Sequence, residues 1–357
     1  MKPFYADQAA WADKVGRIYA ALERVKLSEE QNPNKLTLRR QNRITSVHAT
    51  TAIEGNRLSV GEVAGVVNGV AVFGPPRDIL EVQNAYAAYE ALDSFDPYSV
   101  TSFLRAHSLL TTGLVAESGA FRTVDVTVQR ADGEVLHTGA EPAIVPKAVR
   151  QLLEWAQESA AHPLIASSAV HFMIEYIHPF RDGNGRIGRL WQTLLLSRWN
   201  DLFAWMPTET LIHHNQLGYY QALQASHNGH IEASPFISYM LDIIEHALNQ
   251  YRTTVETKPA RADRGGGTPE GAGVGVNDGV NDGVNDGVSV GASDGPSGLD
   301  AAILQALAEE PRLTGAALAA ALGKSRRTIE RRLARLKSAG LLERVGPDKT
   351  GSWRVVR

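Results

Sequence analysis

Along most of the first 250 residues, apolar positions recur at three- and four-residue intervals, the spacing at which side chains share one face of a helix. The stretches SFLRAHSLLTTGL (102–114), AVRQLLEWAQESA (148–160), SSAVHFMIEYI (167–177), GRLWQTLLLSRW (188–199) and SPFISYMLDIIEHALNQY (234–251) all follow this pattern. One segment, TVDVTVQRADGEVLHTG (123–139), has period two instead. There Val124, Val126 and Val128 alternate with polar residues and Ala131-Asp132-Gly133 supplies a turn, so a β-hairpin is expected within a helical protein. Between Lys258 and Ser297 the pattern disappears into glycine, aspartate and asparagine, including three copies of Val-Asn-Asp-Gly from Val276 to Gly287. Such a segment buries too little apolar surface to offset its ordering entropy and is expected to be a flexible tether. The four-residue period of that repeat matches neither an EF-hand loop nor the nine-residue calcium repeat.

Helical periodicity resumes after the tether and ends in a second short hairpin. The last of these helices carries Ile329, Leu333 and Leu336 as an apolar stripe and Arg326, Arg327, Arg331, Arg332 and Arg335 elsewhere. The sequence therefore divides into an N-terminal helical region (1–95), a core (96–250), a linker (251–297) and a small terminal domain (298–357). The expected fold class is mainly α.

Composition changes this picture little. With 357 residues and 43% hydrophobic content the chain can build real cores. A net charge of -3 argues neither for wholesale nucleic-acid binding nor for an acidic tail, but Lys324–Arg357 holds eleven Lys or Arg against three acids, a local charge of +8. The lack of cysteine rules out disulfides and thiolate metal sites and agrees with a reducing compartment. No stretch approaches the roughly 20 apolar residues of a membrane span, so a cytoplasmic protein without a membrane partner is expected.

The chemistry concentrates in HPFRDGNGRIGR, residues 178–189. Gly183, Gly185 and Gly188 satisfy G-x-G-x-x-G, but the residues before them have helical spacing and Pro179 ends that helix, so the strand of a dinucleotide-binding unit is missing. No Gly-Lys-Ser/Thr follows, which excludes a P-loop. What remains is a glycine loop entering a helix expected to begin near Arg186 or Ile187, a geometry suited to phosphates. Arg186 and Arg189 add forked donors. Asp182 is out of place among phosphates unless a cation such as magnesium joins it, and His178 is placed to take a proton near neutral pH.

These residues fit, without a mismatch, the H-P-F-x-(D/E)-G-N-G-R-x-x-R signature, and the chain resembles the Fic-domain family, enzymes that transfer AMP from ATP to a protein hydroxyl. The resemblance implies His178 as the base that deprotonates the target and Asp182 as the magnesium ligand. It gives the α and β phosphates to Asn184 and the amides of Gly183 to Gly185, and further phosphate contacts to Arg186 and Arg189. Related Doc-type kinases carry lysine where this chain has Gly185, so AMP transfer rather than phosphate transfer is implied.

Three further stretches are similar to the family. TTAIEGNRLS matches its (S/T)-x-x-x-E-(G/N) inhibitory motif through Thr50 and Glu54, with Glu54 expected to occupy Arg189 in a bidentate ion pair. GAFRTVDVTVQ and its continuation look like the family's flap, whose strand edge would receive a target segment. GYYQALQ is similar to the segment flanking the adenine, where Tyr219 or Tyr220 would stack or bond. The last domain resembles a winged helix-turn-helix, with a recognition helix over 325–339, a wing over 344–355, and Arg326, Arg327 and Arg331 as DNA contacts. Many such domains instead dimerise or dock to proteins, so a homodimer stands beside DNA as an expected use. Removal of AMP from a target, with Glu54 orienting water, and nucleotide sensing by a DNA-binding regulator are the alternatives.

Overall fold

The computed structural model describes residue 5 and residues 8–129, 135–227 and 231–257. Toward the C-terminus it describes residues 303–304, 306–307, 313–314, 317–319, 326–338, 342–345 and 352–355. Its compact units are residues 1–266 and 267–357. From residue 258 onward the expected tether lies outside the described residues, as does the turn at Ala131-Asp132-Gly133.

The first unit is built from eleven helices among its described residues: α1 (Ala12–Glu30), α2 (Lys35–Ile53), α3 (Val60–Val67), α4 (Pro76–Glu90), α5 (Val100–Thr111), α6 (Val145–Glu158), α7 (Pro163–Ile177), α8 (Asn184–Trp199), α9 (Thr208–His214), α10 (Gln216–Ala225) and α11 (Ser234–Thr257). Helices α7 and α8 form the centre. Almost every side chain of α7 from Leu164 to Ile177 is buried, and α8 is buried nearly all round, the pattern of helices enclosed on every side. Helix α6 shows the one-sided pattern of an outer helix, burying Val145, Ala148, Val149, Leu152 and Leu153. Helix α1 packs along α11, and α2 lies against α4 and α9. Residues 251–257, assigned from composition to the linker, form the last two turns of α11, where Tyr251 and Val255 are buried.

Local chemistry sets the helix ends. A capping box at α3 pairs Ser59 with Glu62, and Ser59 Oγ accepts from the Glu62 amide at 3.3 Å. Proline occupies an early position of α4, α6 and α7, where its missing N–H costs nothing. The expected hairpin is present but shorter than its alternation suggested. Strand β1 covers Thr127–Gln129 and pairs antiparallel with β2, Val135–Thr138, while Val124 lies outside the ladder and is exposed. A two-stranded ribbon has few ladder bonds to hold a longer run, and Arg122 bonds the Val124 carbonyl before the strand begins.

The second unit contains α12 (Arg326–Ser338) and the antiparallel pair β3 (Leu342–Val345) and β4 (Ser352–Val355), in register from Leu342 opposite Val355 to Val345 opposite Ser352. Ile329, Leu333 and Leu336 are buried as the stripe required, with Ile303, Leu307, Leu318 and Leu342. The backbone of Arg326, Arg327 and Arg331 belongs to α12, and their side chains lie outside the described part of the chain.

Candidate active site

Helix α7 ends on His178, which adopts the left-handed conformation (φ 52°, ψ 61°) and donates its N–H to Ile174 O. The chain then turns through Pro179 to Gly183 and enters α8. Phe180 anchors this loop: it is fully buried and stacks on the His107 ring with centroids 3.5 Å apart and planes 3° from parallel. Gly183 caps α8 with φ 85°, a conformation that favours glycine, and a Cβ there would stand 2.9 Å from Thr111 Cγ2. Helix α8 thus starts at Asn184, two residues earlier than expected from sequence. Its first intrahelical bond runs from the Ile187 amide to Gly183 O at 3.0 Å, so the amides of Asn184, Gly185 and Arg186 form the helix's N-terminal edge.

The Asn184 side chain is engaged by the loop itself. Its Oδ1 accepts from the Phe180 amide and its Nδ2 donates to Phe180 O, both at 2.9 Å. His107 holds the other side. Its Nε2 donates to Asp182 O at 2.9 Å and its Nδ1 accepts from the Gly119 amide at 3.1 Å, a neutral tautomer that burial keeps unprotonated down to about pH 4. His107 was not singled out from sequence, because a buried histidine twelve residues from any motif carries no pattern of its own.

His178 Nδ1 lies 3.3 Å from Glu175 O. A carbonyl only accepts, so Nδ1 carries the proton and Nε2 presents a lone pair. Burial lowers the imidazole pKa, the Glu175 carbonyl opposes this, and the positive charge of Arg122 lowers it further. The ring is a neutral base near pH 7.

Both arginines of the motif are buried and paired. Arg189 Nη2 lies 2.6 Å from Glu54 Oε1 and donates also to Thr50 O at 3.1 Å, while Nε donates to Thr50 Oγ1 at 3.0 Å. The expected ion pair is therefore present, but through one carboxylate oxygen, because Thr50 takes the guanidinium's other edge. Burial opposes the charge on Arg189, and Glu54 outweighs that to hold its pKa above the usual value. Glu54 is also packed onto the loop: a Cβ on Gly185 would collide with its Oε1 and stand 3.0 Å from Arg189 Nη1.

Arg186 Nη1 donates to Glu81 Oε1 and its Nη2 donates to Asp182 Oδ1 at 3.0 Å. Glu81 takes a further bond of 2.8 Å from Asn56, two residues beyond Glu54. Burial raises the Glu81 pKa and Arg186 opposes it. Glu81 escaped the sequence reading because a lone acid on an amphipathic helix is ordinarily a solvated one. Asp182 Oδ1 also accepts from the Gly183 amide at 2.6 Å, and Arg77 Nη2 lies 3.7 Å from Oδ2 on a side chain that is 41% exposed. Among the described residues no group of three or more His, Asp or Glu is arranged to hold a metal.

The structure separates the two tyrosines. Tyr219 is fully buried among His171, Phe236 and Tyr239, and its hydroxyl lies 3.1 Å from both Glu175 Oε1 and His171 Nε2. Tyr220 keeps an exposed ring and accepts from Gln216 Nε2 at 3.3 Å. Thr50, Glu54, Asp182, Gly183, Asn184, Gly185, Arg186 and Arg189 thus meet around the start of α8, with His178 opening the loop that leads into it.

Comparison with known proteins agrees with this architecture. Residues 97–196 match the Fic/DOC family, and residues 297–343 match a winged helix-turn-helix DNA-binding family. The protein adenylyltransferase fic-1 of Caenorhabditis elegans is 28% identical over 223 residues, 59% of this chain and 41% of that protein. A protein adenylyltransferase Fic of Nematostella vectensis is 24% identical over 230 residues, 61% of this chain and 51% of that protein. The chain therefore spans about half the length of these curated relatives or less. Among the described residues no helix is long and apolar enough to cross a membrane. A crystal structure of a Fic family protein from Desulfovibrio desulfuricans G20 is similar over 100% of this chain and 98% of its own, with a TM-score of 0.67 and 33% identity. With that likeness along its whole length and the motif geometry above, this chain belongs to the Fic family and carries a C-terminal winged helix-turn-helix domain.

Proposed function

We propose that the protein transfers AMP from ATP to a Ser, Thr or Tyr hydroxyl of a protein, itself included, and that Glu54 restrains the reaction. The observation that carries this is the Glu54–Arg189 pair at 2.6 Å, lodged against Gly185 at the start of α8 in the loop opened by His178. His178 Nε2 would accept the target hydroxyl's proton as the oxygen attacks the α-phosphorus. The bond from that phosphorus to the bridging oxygen breaks, and pyrophosphate leaves. The amides of Asn184 and Gly185 would face the phosphates, while the Gly183 amide is held by Asp182 Oδ1, and Asn184 would also act through its side-chain bonds to Phe180, which fix the loop. Of the tyrosines, Tyr220 is the one with a ring exposed for the adenine.

Asp182 offers one partly exposed carboxylate, and magnesium is commonly held by one or two carboxylates together with substrate phosphates, so the donor set fits that ion. Bound there, magnesium would neutralise charge on the departing pyrophosphate. Arg186 sits between Asp182 and Glu81 and would orient the metal-binding acid as well as meet phosphate. Glu54 would keep Arg189 from the terminal phosphate and set a negative charge where that phosphate would lie.

Labelled ATP with magnesium tests this directly. Wild type should give little AMP transfer, Glu54→Gly at least tenfold more, and His178→Ala none; a Glu54→Gly variant that binds ATP yet stays inert refutes the assignment. Removal of AMP at the same site would appear as release from a modified protein. A second reading is favoured by the C-terminal unit: its winged-helix match and the +8 charge of Lys324–Arg357 support DNA binding through Arg326, Arg327 and Arg331, regulated by nucleotide. An operator-binding assay with and without ATP separates that use from catalysis.

A further inference from the structure

Among the described residues His178 is the only non-glycine residue with positive φ. The left-handed conformation costs an L-residue roughly 1–2 kcal/mol, so the surroundings must enforce it. The carbonyl of this residue is held by Arg122, a buried arginine in the stretch leading to the hairpin. Among the described residues its guanidinium donates to main-chain carbonyls alone: Nε to His178 O at 2.7 Å, Nη1 to Val124 O at 2.8 Å, and Nη2 to Ala140 O and, at 3.3 Å, to Ile177 O.

Two of these acceptors close the base of the β1–β2 hairpin and two end α7. Main-chain bonds reinforce the junction, from the Arg122 amide to Pro179 O at 3.0 Å and from the Ala140 amide to Ile177 O at 3.1 Å. Gly139 leaves room for it: a Cβ there would press on Arg122 Nη2 and come within 3.1 Å of His178 Cβ. Carbonyls at a helix C-terminus carry partial negative charge, which suits a cation, and the fork reaches several of them where an ammonium would reach fewer.

We propose that Arg122 is the positioning residue of the base, fixing the left-handed turn at His178 and joining it to the hairpin, so that imidazole and hairpin keep one geometry. This rests on His178 acting as the base. The groups acting on that ring are Arg122, Glu54, Asp182 and the His137 imidazole of β2, which burial keeps neutral near pH 7, and the carbonyl of Glu175 bonds its Nδ1. Arg122 is the cation among them, and removing it lets the imidazole keep its proton to higher pH. That shift reports the charge, and the fall in kcat at unchanged KM, with the charge kept in Arg122→Lys, reports the positioning.

The test uses the full chain in the Glu54→Gly background. For Arg122→Gln, kcat should fall about a hundredfold, the loss typical of a misplaced catalytic group, with KM for ATP within twofold of the parent. The acid limb of its pH–rate profile should move to higher pH. Arg122→Lys keeps the charge and loses the fork: kcat falls about tenfold and the acid limb stays in place. An NMR titration of the His178 imidazole, assigned with His178→Ala, should give a higher pKa in Arg122→Gln than in the parent. If the parent transfers no AMP, the functional reading fails and the NMR spectra decide: a His178 ring resonance displaced in Arg122→Lys, where the charge is kept, supports the positioning role of Arg122, and an unmoved one overturns it. Should Arg122→Gln not fold, Arg122→Lys decides through kcat at unchanged KM. Unchanged kcat in the folded variants, or an acid limb that stays put in Arg122→Gln, overturns the proposal.

Discussion

Replacing Glu54 by alanine should make the empty protein less stable and the nucleotide-bound protein relatively more so. Arg189 has a side chain only 1% exposed, and Glu54 is its nearest acid, at 2.6 Å. Removing one member of a fully buried pair costs about 3–5 kcal/mol, because the remaining charge is left without its partner. Glu54 is 28% exposed, so water screens part of the interaction, and Thr50 still accepts from Arg189. About 2 kcal/mol is therefore expected. For a unit of this size that lowers Tm by about 4–8 °C. ATP with magnesium would then supply the anion that Arg189 lacks, and at a hundredfold excess over Kd it contributes about 2.7 kcal/mol. In wild type the same nucleotide must first displace Glu54, so its thermal shift is smaller. Differential scanning calorimetry of both proteins, with and without nucleotide, reads all four values. An alanine variant that melts with wild type when empty, or gains no more from ATP than wild type does, refutes the idea that Glu54 and phosphate compete for Arg189.

Two further outcomes are expected. Glu209 is a buried acid that receives hydroxyls from Ser46 of α2, Tyr89 of α4, Thr193 of α8 and its neighbour Thr208. Glu209→Leu leaves those donors unsatisfied and should cost about 4 kcal/mol in denaturant unfolding, whereas a loss below about 1 kcal/mol would show that the hydroxyls find other partners. Glu175 has its pKa pushed up to about 7 by burial, against an ordinary 4.5. A carboxyl raised in the folded state favours folding below its unfolded pKa and loses that contribution as pH rises through 7, on the order of 3 kcal/mol. Wild type should thus lose stability relative to Glu175→Gln between pH 5 and pH 8, and parallel stability curves for the two would contradict it.

The helical character, the hairpin and the terminal helix with its hairpin were legible in the sequence, because each rests on spacing within a short window, whereas the pairing of Glu54 with Arg189, 135 positions apart, was implied only by the resemblance of both motifs to the Fic family. Thr50 and Glu54 stand four apart, and the residues of the 178–189 motif lie within a dozen positions. What was illegible depends on long-range contacts or on the main chain. Arg122 bonds carbonyls that any residue would supply, so nothing in the sequence names its partners. Glu209 gathers hydroxyls from up to 163 positions away. The start of α8 was set two residues late because the helix begins on an asparagine and a glycine, poor helix formers whose place there is fixed by the bonds of Asn184 to Phe180. Tyr219 and Tyr220 could not be told apart until α10 showed which of them faces α7 and α11.

Thr50 and Glu54 reach the same guanidinium from successive turns at the end of α2, and this makes the contact, and the restraint proposed for it, a matter of length as much as of chemistry. Each residue added to a helix advances it by 1.5 Å and rotates it by about 100°. One residue inserted between them would carry Glu54 off the face on which Thr50 sits, with every residue of the motif still present. The proposed restraint would therefore be lost by a three-nucleotide insertion in the reading frame that leaves every residue of both motifs in place, and a comparison that scores residue identity alone would miss it.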